Sequence, residues 1–401
     1  MNHRNAGREG SAAQVFRVSL MLGSTSFGGP VAHLGYFERT YVRSLRWVSA
    51  SHFASLVALC QSLPGPASSQ VSFLIGWHRA GWRGALAAWA GFTLPSACLL
   101  YLCARFAAHL QGAVAMAFAH GLKLVAVAVV AQATWQMALR LCRAWPTALI
   151  AALATAAALA VAGPGAQWLI LLGGAAAGVL VPSDPALPGD FATREVRPRL
   201  AWASLLLYVV LLGLLPLLAV LTHEQWLRLA SVYYTAGALV FGGGHVVLPL
   251  LHDSLVPAQG IGEATFLTGY GLAQAVPGPL FAVAAYLGGS TTLAGSTLLP
   301  ALLGVCSIFL PGLLLAIAGI ALWGRLARQP FALRALAGIN AGVVGLLAAA
   351  LYDPVWKTAI GSPADVAIAA SALVMLQRWQ LSPLWIVALC TVASIGITRL
   401  S

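Results

Sequence analysis

The stretch ALCQSLPGPASSQV, Ala58 to Val71, decides how this chain is read. It lies in an apolar run where a membrane-spanning helix is expected. Yet Pro64-Gly65-Pro66 withdraws two backbone donors within three residues and inserts a glycine, free to take backbone geometry that other residues avoid. A helix cannot pass through that sequence unbroken. Inside a bilayer, backbone that leaves the helix persists only where protein or a water-filled cavity surrounds it. The segment therefore belongs to the interior of a helix bundle.

Composition requires such a bundle. Of 401 residues, 60% are hydrophobic and 8% charged, and the mean hydropathy is +0.86. Too few polar residues exist to cover a soluble globule, so the expectation is an all-α polytopic membrane protein. Residues 1–13 are polar and basic and read as a cytoplasmic N-terminal tail. The apolar run after them, Val18 to Phe27, is short and lacks a small-residue cleavage pattern, so no removable signal peptide is expected. The six cysteines, with no C-x-x-C spacing, read as small buried hydrophobes.

The chain is written twice. SFGGPVAHL from Ser26 matches VFGGGHVVL from Val240, ALCQSLPGPASSQ from Ala58 matches GLAQAVPGPLFAV from Gly271, and GFTLPSACLL from Gly91 matches SIFLPGLLLA from Ser307. The offsets, 214, 213 and 216 residues, are nearly constant, which marks a duplication. Residues 14–182 form a first membrane repeat and residues 229–401 a second. Residues 183–228 hold a loop and a linking helix, Trp202 to Thr222. Full spans are expected near Ala85–Phe106, Gly112–Leu139, Trp145–Gly163 and Gln167–Pro182, then Ser296–Leu322, Phe331–Leu351, Ala364–Trp379 and Pro383–Thr398. Each repeat opens with two interrupted segments, Gln14–Phe37 and Phe53–Gly76, then Leu229–Leu251 and Phe266–Gly289.

Charge orients the repeats. Around the first PGP segment lie Arg39, Arg43, Arg46, Arg79 and Arg83, whereas the matching loops of the second half, His252–Thr265 and Gly289–Gly295, contain no Lys or Arg. In the next loop the bias reverses, with Arg325, Arg328 and Arg334 against Arg105 alone. Because basic loops stay in the cytoplasm, equivalent loops face opposite sides, the signature of an inverted repeat. Each arm flanking PGP, at about ten residues, rises roughly 15 Å and cannot cross alone. The simplest reading is a re-entrant hairpin, giving about nine full spans and four half-spanning hairpins. One broken spanning helix, within ten to thirteen conventional spans, is the rival.

The breaks point to anion chemistry. From Arg39 to Pro182 the chain has no Asp or Glu while arginines recur, and the net charge is +12. A field of one sign attracts anions, although the positive-inside rule alone would place many of these arginines. Pro66 suits the first position of a new helix, aiming the free N–H groups of Ala67, Ser68 and Ser69 toward the gap. A helix N-terminus contributes roughly 0.3 to 1 kcal/mol toward an anion, up to about 2 when partly buried. One end is not enough to dehydrate a divalent oxyanion, whereas two, Ala67 to Ser69 and Leu280 to Ala282 behind Pro277-Gly278-Pro279, with several hydrogen bonds and a nearby Arg, could be. Gly28, Gly29 and Pro30, with Gly242, Gly243 and Gly244, read as further unwound segments permitting close approach, and Gln61 and Gln274 as matched cavity-facing amides that can donate and accept. With Pro64 and Gly65 these form the candidate substrate site. His33, His245, Arg79, Arg83 and Lys123 are the electrostatic or coupling candidates; core packing of the histidines, interfacial anchoring of the arginines and snorkelling of the lysine are the competing readings.

No catalytic, nucleotide or metal motif is present, so no enzyme, cofactor, metal or nucleic-acid role is expected. A membrane sensor or a reductase is the alternative from another class, and a reductase would need a redox cofactor or thiol pair. A homodimer is left open.

The motifs FGGPVAHLGYF, ALCQSLPGPASSQ and GFTLPSA, echoed by FGGGHVVLPLL and QAVPGP, resemble the chromate ion transporter (CHR) family in its long two-domain form, over nearly the whole chain from Phe16. The resemblance implies an inner-membrane protein that exports chromate from the bacterial cytoplasm and confers resistance, with sulfate as the structural analogue. Residue chemistry alone reaches an inverted-repeat oxyanion transporter; chromate is what the resemblance adds.

Overall fold

The computed structural model describes residues 10–107, 112–161, 164–181, 197–241, 243–326, 329–379 and 381–400. Its first helix, α1 (Ala12–Thr25), starts behind Ser11, whose hydroxyl accepts the Gln14 N–H at 3.1 Å. It ends at Ser26. Gly28 (φ 98°) and Gly29 (φ 79°) reverse the chain, and α2 (Gly29–Phe37) runs back. The second hairpin has the same plan. Ser49 caps α3 (Ala50–Ser62), the PGP turn follows, and α4 (Ala67–Ala107) returns and then bends at Ala80 and Gly81, which leave helical geometry.

Contacts establish that both segments are re-entrant. The Gly10 N–H donates to the Arg79 carbonyl at 3.1 Å, and the Arg79 guanidinium lies 5.4 Å from the Trp47 ring. The outer ends of both hairpins thus share one level. At the deep level, His33 Nδ1 lies 3.3 Å from Ser68 Oγ. Each arm of the PGP hairpin, at 13 residues in α3 and again from Ala67 to Arg79, rises about 20 Å and stops inside a ~30 Å hydrocarbon core. The arms are about a turn longer than the sequence suggests, because the first begins at Ala50 behind the Ser49 cap and the second continues to Arg79 before the bend.

The second repeat repeats these parts: α9 (Gln225–Leu239), α10 (Val247–Gln259), α11 (Glu263–Ala275), a PGP turn, a short α12 (Val283–Gly289) and the long α13 (Leu298–Leu326). Equivalent glycines mark equivalent packing. A Cβ on Gly23 would meet the Phe92 carbonyl, and one on Gly237 the Ile308 carbonyl.

The other helices are α4 beyond its bend, α5 (Ala113–Leu141), α6 (Trp145–Ala160), α7 (Pro164–Leu180), α8 (Pro198–Thr222), α13, α14 (Pro330–Ala350), the single turn α15 (Lys357–Ala359), α16 (Pro363–Arg378) and α17 (Pro383–Leu400). Among the described residues, five segments, Ala67–Ala107, Ala113–Leu141, Pro198–Thr222, Leu298–Gly324 and Pro330–Ala359, are long and apolar enough to cross a membrane. At 16 to 18 residues, α6, α7, α16 and α17 cover roughly 24 to 27 Å and need a locally thinner bilayer. The single linking pass, α8, supplies the inversion. Its apolar surface is almost wholly unburied, the pattern of a helix facing lipid, and Tyr208 fastens it to the second repeat through the Ala238 carbonyl at 3.2 Å.

The repeats interlock. On α14, Gly338 meets Gly174 and Gly178 of α7 backbone to backbone, and Gly345 meets Ala151 of α6, the close approach that small residues allow between membrane helices. Followed through these passes, Gly10, Ser44 and Arg79 lie on one face, and Gln225, Thr292 and Asp365 on the other. Apart from Arg105, Arg228 and Arg399, every described arginine lies on or toward the first, the basic face. In a cysteine-free background, Ser44→Cys and Thr292→Cys, both exposed, are expected to react with an impermeant maleimide from opposite sides of the membrane; labelling of both from one side would refute the inversion.

Candidate functional site

A proline-glycine turn at membrane depth leaves amides and carbonyls that lipid cannot satisfy. Here each repeat satisfies the other's. The Gly65 N–H, in the first PGP turn, donates to the Val240 carbonyl at 2.7 Å, where the second repeat's first hairpin breaks. The Gly278 N–H, in the second PGP turn, donates to the Ser26 carbonyl at 2.9 Å, where the first repeat's first hairpin breaks. Both glycines have left-handed backbone, φ 115° and 105°. A Cβ on Gly65 would lie 2.8 Å from Gly312 Cα, and one on Gly278 2.8 Å from Ser96 Oγ. Gly312 and Ser96 are themselves equivalent, each following the proline of the third repeated motif, at Pro311 and Pro95. Four helix breaks thus meet at one depth around an approximate two-fold axis.

The two PGP turns differ in chemistry. The Pro66 carbonyl accepts the first helical bond from the Gln70 N–H at 3.0 Å, which makes Pro66 the N-cap, so the helix starts at Ala67, one residue later than the sequence suggests. The amides of Ala67, Ser68 and Ser69 then have no intrahelical acceptor. Ser68 faces His33. Ser69 Oγ, His33 Nε2, Gln70 Oε1 and Thr93 Oγ1 are buried with no hydrogen-bond partner among the described residues. In the second turn a tight 3₁₀ bond from Ala282 N–H to the Pro279 carbonyl, at 3.0 Å, consumes one of the free amides, and the Phe281 ring packs tilted against Phe309 at 5.7 Å. The first turn is polar and undersatisfied; the second is apolar and closed.

Gln70 is a site residue that the motif comparison missed. Its Nε2 donates to the Pro64 carbonyl and to the Gly312 carbonyl, each at 2.9 Å, so one side chain ties the first PGP turn to the second repeat. Val283 occupies the equivalent place. That difference was visible in the alignment of the halves, but a lone buried glutamine reads as packing until its partners are seen.

Of the expected residues, the structure brings together Gly28, Gly29, Pro30, His33, Pro64, Gly65, Pro66, Ala67, Ser68 and Ser69, and on the other side Gly243, Gly244, Pro277, Gly278 and Pro279. Gly244 packs on Leu280 and Phe281, and His245 Nδ1 lies 2.8 Å from the Tyr270 hydroxyl. Gly242 lies outside the described residues. Gln274 is buried with no partner for Nε2 among the described residues, whereas its counterpart Gln61 is exposed, so the two amides do not share one environment. Arg79 and Arg83 sit at the outer end of the hairpin, about 20 Å of helix from the turn. Lys123 lies near the opposite face, donating to the Thr358 carbonyl at 3.2 Å.

A family model described as Chromate transporter matches residues 13–179 and, a second time, residues 227–395. The chain belongs to the chromate transporter family. It is 26% identical over 379 residues to a chromate transport protein of Pseudomonas aeruginosa, covering 92% of this chain and 88% of that one. It is 24% identical over 389 residues to a chromate transport protein of Cupriavidus metallidurans, covering 94% and 90%. A probable chromate transport protein of Synechococcus elongatus is 25% identical over 351 residues, covering 85% and 84%. No solved structure matches the chain.

The reciprocal turns make a stability prediction. Gly65→Ala forces a positive φ that costs about 1 to 3 kcal/mol and drives Cβ into backbone. It is expected to lower the melting temperature in detergent clearly, while Gly213→Ala, in open space, leaves it unchanged. Equal melting of the two variants would show that the turn is not held as described.

Proposed function

We propose that the chain is a secondary transporter that exports chromate from the bacterial cytoplasm across the inner membrane and so confers chromate resistance, with sulfate as a competing analogue. The observation that carries the reading is the meeting of four helix breaks at one depth, with the free amides of Ala67, Ser68 and Ser69 and the buried hydroxyls of Ser68 and Ser69 at the first. Residues 14–182 and 229–401 act as the two moving halves, joined by residues 183–228. The positive-inside rule puts the basic face in the cytoplasm.

Chromate is a tetrahedral dianion. Backbone amides, hydroxyls and the His33 ring offer it several hydrogen bonds without a fixed cation, which favours release as well as binding. Gly28, Gly29, Pro30 and Gln61 complete the first half of the site, and Gly242, Gly243, Gly244, Gln274 and the second PGP turn complete the other. His33 and His245 are the candidates for proton coupling. A dianion leaving a negative-inside cell gains roughly 4.6 kcal/mol per 100 mV, so export is favourable without a coupled ion. Arg79 and Arg83 serve at the entrance, where a guanidinium concentrates anions at the cytoplasmic mouth.

Replacing Ser68 and Ser69 together by alanine is expected to reduce chromate uptake into everted vesicles about a hundredfold or more, a loss equivalent to two hydrogen bonds to a charged group. Unchanged affinity and rate would remove the site. Liposomes containing only this protein should move intact labelled chromate. Reduction to a lower oxidation state without net movement would favour a reductase, and equal or better transport of sulfate would reassign the cargo.

A further inference from the structure

Away from the helix breaks, the duplication produces two further bundles that exchange helices between the repeats. α5 packs on α16 and α17, and α14 packs on α6 and α7. One sequence offset, 217 residues, relates them, pairing Gly121 with Gly338, Pro146 with Pro363 and Gly174 with Thr391. The contacts match: a Cβ on Gly121 would meet Thr391, and one on Gly338 the Gly174 carbonyl. In the first bundle the chain closes the start of α16 itself. Ser362 and Asp365 form a capping box, Asp365 Oδ2 accepts from the Gly361 and Ser362 amides at 3.0 and 2.9 Å, and His120 Nε2 of α5 lies 2.7 Å from Asp365 Oδ1. In the second bundle the places of Ser362, Asp365 and His120 are taken by Trp145, Ala148 and Ala337. No side chain caps α6, and Thr147 turns its hydroxyl back to the Ala144 carbonyl at 2.8 Å. Where the other bundle has a carboxylate and an imidazole, this one has a cleft of about 450 Å³ between α6, α7 and α14, with Trp145, Pro146, Val181, Ala337 and Gly338 among its walls.

The surroundings of the cleft are positive. α5, α6, α7 and α14 contain no Asp or Glu, while arginines border the opening at the basic face. Arg140 and Arg143 are exposed where α5 passes into α6, and Arg143 immediately precedes the cleft residue Ala144. Arg334 lies one turn before Ala337 and Gly338, on the same side of α14. A Cβ on Gly178, another wall residue, would run into the Arg334 carbonyl, and Arg334 Nε is buried with no partner among the described residues. Side chains lean toward the start of their helix, so Arg334 reaches from the cleft toward the membrane surface. We propose that the cleft holds the headgroup phosphate of an anionic phospholipid, which supplies the negative charge that Asp365 supplies in the other bundle. Basic pockets between membrane helices on the cytoplasmic side take such headgroups. The walls favour a lipid over a free ion. Trp145 is exposed and of the type that sits at headgroup level, and Leu149 and Leu153, exposed at the next turns of α6, continue an apolar stripe for the acyl chains. Because α14 belongs to the second repeat and α6 and α7 to the first, the bound lipid joins the two repeats at this face.

The lipid site does not depend on the transport reading, and its test uses no transport. Native mass spectrometry of the detergent-solubilised chain, titrated with phosphatidylglycerol or phosphatidylcholine, should show phosphatidylglycerol bound about tenfold more tightly or better. Arg143→Gln and Arg334→Gln should each weaken phosphatidylglycerol about fivefold, the scale of one arginine at an anionic membrane surface. Arg39→Gln, at an exposed arginine of the same face outside this bundle, should leave it unchanged. If Arg334→Gln does not fold, Ala148→Asp, which puts a carboxylate where the other bundle has one, should abolish the preference for phosphatidylglycerol. Equal affinity for the two lipids, an equal loss in Arg39→Gln, or a preference retained in Ala148→Asp would overturn the site. Displacement of phosphatidylglycerol by inorganic phosphate or chromate would reassign the cleft to a free oxyanion and overturn it as well.

Discussion

Inside a bilayer every backbone amide and carbonyl must find a partner, and a chain that breaks its helices at membrane depth must provide those partners from elsewhere in the protein. The architecture follows from one solution to that requirement. The Gly65 amide is satisfied by Val240 of the other repeat, and the Gly278 amide by Ser26. Neither repeat can complete its own breaks. The inverted duplication, the odd linking helix and the glycine-on-carbonyl packing of Gly23 and Gly237 are the conditions under which two copies bring complementary breaks to one depth. A buried unpaired amide costs several kcal/mol, so the two reciprocal bonds also join the halves energetically.

On this symmetric frame the chemistry is unequal. Ser68, Ser69 and Gln70 of the first copy become Phe281, Ala282 and Val283 in the second. The first helix start keeps its amides free and surrounds them with buried hydroxyls. The second closes its first turn with a 3₁₀ bond and an aromatic contact. One turn is polar and undersatisfied and the other is packed, a difference that a duplicated scaffold permits.

Much of this was legible in the sequence, for identifiable reasons. Proline and glycine act locally, so the breaks at Pro64–Pro66 and Pro277–Pro279 were readable from residue type alone, and arginine bias gave the inversion because it reports which side a loop occupies. Comparing the halves exposed the Ser68/Phe281 difference. What could not be read was long-range pairing: nothing local ties Gly65 to Val240, or Gln70 to Gly312. Helix ends were misjudged for a related reason. Pro66 as N-cap depends on which carbonyl accepts the Gln70 amide, and the longer arms depend on the Ser49 cap and the bend at Ala80 and Gly81; residue propensity does not determine either. Arg79, Arg83 and Lys123 share the charge signature of binding residues, but the folded chain puts them near the two faces. Gln61 and Gln274 share a repeat position, yet one is exposed and the other buried.

The central claim is that the first PGP break, and not the arginine-rich face, holds the oxyanion. A pair of electron cryomicroscopy maps of the protein in nanodiscs, with and without saturating chromate, tests it directly. The account predicts difference density within hydrogen-bonding distance of the Ser68 and Ser69 amides, beside the His33 ring. Density confined to the basic face around Arg79 and Arg83, with none at the break, would contradict it.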